Sequence, residues 1–167
     1  LMDAFGLIVV DKPVGPTSHK VVNTVRLGTG VRKVGHAGTL DPFATGLLVV
    51  LVGRATRLAR FVEQQPKRYL ATARLGVATA TDDLTGEPAG GGFAPAGPPS
   101  RTEVEQELHA MLGRQLQRPP AYSAKLVDGV RSYRLARRGE AVELAPVEVE
   151  IHEVELLDYA APDVTFR

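Results

Sequence analysis

The sequence predicts an α+β fold, on three observations. Strand-like and helix-like runs are intermixed without the regular spacing of βαβ units, which argues against a parallel sheet with crossover helices. The stretch "VEVEIHEVELLDY" (147–159) alternates apolar and charged residues, the period of a half-buried strand. At 167 residues and without cysteine, the chain is long enough to bury one core with no disulfide staple.

The elements read in order. "GLIVVDKP" (6–13) is a short buried strand ended by a turn at Lys12-Pro13. "PTSHKVVNTVRLG" (16–28) is a helix that Thr17 or Ser18 caps, with Val21, Val22 and Val25 as its apolar stripe and Gly28 as its stop. "LLVVLVG" (47–53) is too short for a typical helix and rich in valine, so it reads as a buried strand. "RATRLARFVEQQ" (54–65) is a helix with Ala55, Leu58 and Val62 inward and Arg54, Arg57 and Arg60 near one outer face. "KRYLATARLG" (67–76) alternates in period two and places Tyr69, Ala71 and Ala73 on one side of a half-buried strand. "GEPAGGGFAPAGPPS" (86–100) is expected to hold no regular structure and to form a long surface connection within one domain. "TEVEQELHAML" (102–112) opens with a capping box of Thr102 and Glu105 ahead of Leu108 and Leu112.

Composition narrows the function classes. Thiolate metal sites are excluded, and His19, His36, His109 and His152 lie far apart without metal-ligand spacing, so no metal is expected. The longest apolar run, Leu47 to Val52, is far too short to span a bilayer. No leader pattern opens the chain, and a cytoplasmic protein is the expectation. The net charge of +1 conceals a partition. Residues 1–76 hold eleven Lys/Arg against four Asp/Glu, and residues 114–138 hold seven against one. The blocks between and after them are acidic. Arginine outnumbers lysine fifteen to five, and its planar fork suits phosphate and stacking contacts. Two basic blocks of this kind suit nucleic acid, or are simply solvated surface.

"GHAGTLDPFATG" (35–46) sets one carboxylate, Asp41, among small turn-forming residues. It is either a turn that opens a strand or a reactive carboxylate that a bulky polymer can reach. Gly35, Gly38 and Gly46 let backbone pass close to a ligand, and His36 adds an aromatic polar group in what reads as a loop. A carboxylate with an ordinary pKa of about 3.9 is ionised at neutral pH and can attack without a base.

The stretch "GHAGTLDPFATGLLVVLVGRATR" (35–57) resembles, without a gap, the catalytic motif of the TruB family of tRNA pseudouridine synthases. The resemblance extends to "GLIVVDKPVGPTSHKVV" (6–22), "KRYLATARLG" (67–76) and "PPAYSAKLVDGVRSYRLARRGE" (119–140), in the family's order. It implies the pseudouridine-synthase fold, a mixed and mainly antiparallel sheet flanked by helices, with a thumb-like RNA-binding insertion at 119–146. It implies a uridine isomerase that acts on the T loop of tRNA, at position 55 in tRNA numbering, after flipping the base, and that needs no cofactor or protein partner.

By that resemblance Asp41 is the nucleophile. Tyr69 stacks on the target base and is a candidate for the late proton removal, though it also reads as a core strand tyrosine. His36 fills the space left by flipped nucleotides. Arg131, Arg134 and Arg138 share one face if helical and would grip phosphates of the T arm; an exposed amphipathic helix is the alternative. Tyr122 packs or contacts RNA, and Lys12 matches a family lysine or is a surface turn residue.

Two positions depart from the family pattern. Lys125 precedes Leu126 where the family has an apolar residue and then lysine, and Ala80 stands where a first aspartate is usual, with Asp83 in the later place. Family members also continue into a Gly-Thr-Tyr-Ile-Arg segment, whose arginine pairs with the catalytic aspartate, and into a PUA domain. Neither occurs here, so residues 1–167 read as a catalytic domain incomplete at its C-terminus, with weak RNA binding, an open sheet edge and little turnover. A complete version would be a monomer. Two rivals stand beside this reading, a guide-RNA-dependent relative and an RNA-binding or tRNA-folding module without turnover.

Overall fold

A computed structural model describes residues 4–93, 97–119, 126–127, 130–131 and 144–167. The chain divides into two compact units, Leu1–Lys67 and Arg68–Arg167.

The first unit runs β1 (Gly6–Lys12), α1 (Ser18–Thr29), β2 (Val34–Ala37), β3 (Gly46–Val52), a 3-10 segment (Gly53–Leu58) and α2 (Ala59–Glu63). Its strands form an antiparallel sheet in the order β1-β3-β2. Strand alternation puts Leu48, Val50 and Val52 of β3 on one face, beside Val34 of β2. Val22 of α1 packs into that face and completes the buried cluster. The helix ends two residues later than expected. Gly28 stays helical, and Gly30 takes a left-handed conformation from which its N–H reaches the Arg26 carbonyl at 3.0 Å. The expected burial of β1 is only half met, because β1 is an outer strand and leaves Leu7 and Val9 open to solvent.

The expected helix over 54–65 is 3-10 as far as Leu58 and α-helical only over Ala59–Glu63. Ala55 is buried as expected, whereas Leu58 is exposed. Apolar spacing over so few turns does not separate 3.0 from 3.6 residues per turn.

The second unit carries β4 (Ala71–Arg74), β5 (Val77–Thr79), β6 (Pro88–Gly91), α3 (Arg101–Ala110), β7 (Gly113–Gln117), β8 (Leu126–Val127), β9 (Val130–Arg131), β10 (Val147–Ile151), β11 (Leu156–Ala160) and β12 (Asp163–Phe166). The pairings among these strands are antiparallel: β11-β12-β4, β7 with β10, β5 with β6, and β8 with β9. Val104 and Leu108 of α3 pack on Val164 of β12, with Leu156, Tyr159 and Phe166 around them. The α+β class and its mainly antiparallel pairing match the expectation.

Three local expectations change. The Gly/Pro-rich stretch contains a strand, β6, and Gly91 permits it: a Cβ there would stand 2.2 Å from the Gly76 carbonyl oxygen. The capping box belongs to Ser100 and Glu103, not Thr102 and Glu105. The run 147–159 is two strands, since its apolar phase slips between Ile151 and Val154, and the halves pair with different partners, β7 and β12. Of the thumb segment 119–146, Tyr122, Arg134 and Arg138 lie outside the described residues, and Arg131 belongs to β9.

Candidate active site

Asp41 lies in the connection between β2 and β3, residues 38–45. Gly38 and Gly46 bracket this loop with φ of 98° and 114°, where a side chain is strained, so their role is to turn the backbone. Gly35 lies within β2 and needs no such freedom. The Ala44 N–H donates to the Asp41 carbonyl at 3.1 Å and closes a tight turn. The Asp41 side chain is exposed, and among the described residues its carboxylate makes no hydrogen bond or ion pair.

The backbone on either side of Asp41 is tied down. The Leu40 N–H donates to Ser18 Oγ at 2.9 Å, and the same hydroxyl donates back to the Leu40 carbonyl at 3.1 Å. The Pro42 carbonyl accepts from the Gly15 N–H at 2.8 Å and from Lys12 Nζ at 3.4 Å. Lys12 also donates to the carbonyls of Pro13 at 2.9 Å and Pro16 at 3.0 Å. Its residue exposure is 0%. A fully buried ammonium, with carbonyls as its partners, does not face RNA. Lys12 therefore departs from both sequence readings, RNA contact and surface turn: it ties the β1–α1 turn to the loop of Asp41.

Ser18 was not legible as a site residue. The sequence offers two adjacent hydroxyls for one helix cap, and Thr17 takes that role by accepting from the Lys20 N–H at 3.1 Å. Ser18 turns inward instead and is 2% exposed. The surplus hydroxyl was the available signal.

His36 is a strand residue of β2, opposite Val50 of β3, and not the loop histidine expected. It is half-buried, and its Nδ1 is buried without a partner among the described residues. Exposed arginines follow β3: the Arg54 guanidinium lies 4.5 Å from the Phe5 ring centroid, and that of Arg60 lies 4.6 Å from Phe61. Such stacking holds a guanidinium in place while leaving charge for an anionic ligand.

Tyr69 belongs to the second unit. It precedes β4 rather than lying within it, and it is 62% exposed, so it is not the core strand tyrosine of the alternative reading. An exposed phenol ring is free to stack. Asp83 in the same unit is engaged locally, accepting from the Thr85 hydroxyl at 2.6 Å, the Thr81 hydroxyl at 2.7 Å and the Thr85 N–H at 2.8 Å. The Thr85 hydroxyl, ahead of Thr81, holds its carboxyl below the usual carboxylate range. An apolar cavity of about 270 Å³ lies between α3 and the β4/β12 face, lined by Leu75, Val104, Leu108, Val164 and Phe166 among others, and no predicted site residue lines it. Among the described residues no group of three or more His, Asp or Glu is placed to hold a metal ion, and no helix is long and apolar enough to cross a membrane.

Residues 26–167, which include the loop of Asp41, match the model of the TruB family pseudouridylate synthases (N-terminal domain). The chain belongs to the TruB family. It is 49% identical over 159 residues to tRNA pseudouridine synthase B of Solibacter usitatus, covering 91% of this chain and 51% of that relative. It is 45% identical over 161 residues to tRNA pseudouridine synthase B of Syntrophotalea carbinolica, covering 96% and 52%. The chain thus spans about half the length of these two relatives. Among solved structures, a chain of a Cbf5-Nop10-Gar1 complex matches with a TM-score of 0.68 at 29% identity, covering 97% of this chain and 38% of that one. A chain of an H/ACA RNP bound to a substrate RNA containing 2'-deoxyuridine matches at 0.65 and 25%, covering 97% and 36%. This TruB-family chain has the pseudouridine-synthase fold.

Proposed function

We propose that this chain carries the catalytic aspartate of a tRNA pseudouridine synthase that acts on the T-loop uridine, position 55 in tRNA numbering. The observation that carries the reading is Asp41 itself: an exposed carboxylate, with Leu40 and Pro42 anchored on either side, inside a family motif. The 45–49% identity to two enzymes named tRNA pseudouridine synthase B supports tRNA as the substrate.

The target uridine is hidden in a folded loop and must be flipped out, at a cost of a few kcal/mol. Asp41, ionised at neutral pH, then attacks the nucleotide. The bond from ribose C1' to N1 of uracil breaks, the base turns, and C1' joins C5. The C5 proton leaves and N1 regains a proton, so the product is an isomer and no oxidant or reductant enters. Tyr69 stacks on the base, worth about 1–3 kcal/mol, and serves the late proton removal. His36 occupies the space of flipped nucleotides. Residues 119–146 form a thumb on the T arm, where Tyr122, Arg131, Arg134 and Arg138 read RNA largely by shape and phosphate position. The protein works in the cytoplasm as a monomer, with tRNA as its partner.

A second reading, guidance by a separate RNA, draws on the two solved structures, which are ribonucleoprotein components. Incubation with an unmodified T-arm hairpin, scored for pseudouridine, tests both. Product from protein and hairpin alone supports the first reading. Product only after a guide RNA is added supports the second, and tight binding without product would leave an RNA-binding module.

A further inference from the structure

Lys12 and Ser18 are the buried polar side chains among the described residues, and both reach the loop of Asp41. Lys12 spreads its three donors over three carbonyls. Ser18 does something narrower. One hydroxyl satisfies both backbone polar groups of Leu40, the residue immediately before Asp41.

The geometry points to Ser18 as a positioning residue for Asp41, an inference that rests on the reading of Asp41 as nucleophile. The Leu40 carbonyl lies in the same peptide plane as the Asp41 nitrogen. Holding that carbonyl sets the plane from which the Asp41 side chain departs. On the other side, Pro42 has a ring-locked φ and a carbonyl held by Gly15 and Lys12. Asp41 is suspended between two fixed planes, while its carboxylate stays exposed.

The anchor is rigid for a structural reason. Ser18 is the first residue of α1, which is seated in the core through Val22, and Leu40 itself packs against that core. A nucleophile gains from such support, because a misplacement of about 1 Å can cost on the order of 100-fold in rate. Serine suits the task because the site needs a donor and an acceptor in one small atom. Alanine supplies neither, and cysteine supplies both weakly. Ser18 does not cap the helix, since Thr17 does, so its loss leaves the helix start intact.

The test uses the protein as its cell makes it, with an unmodified T-arm hairpin as substrate. Ser18→Ala is expected to lower the single-turnover rate by about 10–100-fold, with hairpin affinity within about threefold and faster hydrogen exchange at the Leu40 amide. Ser18→Cys should fall between it and the parent, and it carries the test if the alanine variant does not fold. In an Asp41→Asn background, Ser18→Ala should cost no further rate. A folded Ser18→Ala protein with parental rate overturns the inference, as does a rate loss that merely follows a loss of RNA affinity. Parent protein that makes no pseudouridine, or Asp41→Asn protein that still does, removes the reading of Asp41 itself; that failure appears before any Ser18 variant is compared.

Discussion

The ammonium of Lys12 lies 3.4 Å from the carbonyl oxygen of Pro42, thirty positions further along the chain, and joins the turn after β1 to the loop of the candidate nucleophile. The interaction is sequestered, since Lys12 has no exposed surface. Lys12→Met keeps the length of the side chain and removes its donors. It should cost about 1–3 kcal/mol in urea unfolding, because buried carbonyls lose their donor, and it should leave hairpin affinity nearly unchanged. A parental unfolding midpoint with weakened binding would return Lys12 to the RNA surface.

Asp41→Asn should reduce pseudouridine formation to background while changing stability by no more than about 0.5 kcal/mol, as befits an exposed side chain without partners among the described residues. Hairpin affinity should stay within a few fold, because the swap is nearly isosteric and removes only the nucleophile's charge. Appreciable turnover by a sequence-verified variant would exclude Asp41 as nucleophile.

Tyr69→Ala should weaken hairpin binding by about 1–3 kcal/mol if the ring stacks on a base, with stability held within about 0.5 kcal/mol because the ring is 62% exposed. Reduced stability with unchanged affinity would instead make the ring a packing element.

Arg134 and Arg138 are proposed to bind phosphates. Replacing both with alanine should weaken tRNA binding and flatten its salt dependence, by about 0.7–0.9 in the slope of log K against log salt for each phosphate that is no longer neutralised. Weakened binding with an unchanged slope would assign them a structural role.

Acid should destabilise the second unit through two carboxylates. The Thr85 hydroxyl is the main cause of the lowered pKa of Asp83, and a bidentate pairing with Arg74, 2.8 Å at each oxygen, is the main cause for Asp163. A native pKa below the unfolded one means stability that is full above the ordinary carboxylate value, about 3.9. That stability is lost as the pH falls through the lower native value. Thermal unfolding followed from pH 7 downward should therefore show a shallower acid limb in Asp83→Asn than in the parent. Parallel limbs would show that Asp83 is not linked to folding.

What the sequence by itself determined is what depends on neighbours along the chain. The stripe Val21, Val22, Val25, the valine-rich β3 and the motif around Asp41 carry their meaning within a few residues, so their elements and the family were legible. Local signals fail where they are degenerate. Ser100 and Thr102 both stand three residues before a glutamate, and only the packed position of α3 on β12 selects the first pair. Tertiary structure alone decided the burial of Lys12, the inward turn of Ser18 and the strand placement of His36. Each depends on a partner 14 to 30 residues away, Val50 for His36, Leu40 for Ser18 and Pro42 for Lys12. A lysine or serine after a strand looks the same in sequence whether water or a carbonyl will satisfy it. Only the folded chain brings the carbonyl, and with it the choice between a surface residue and one that holds the loop of Asp41.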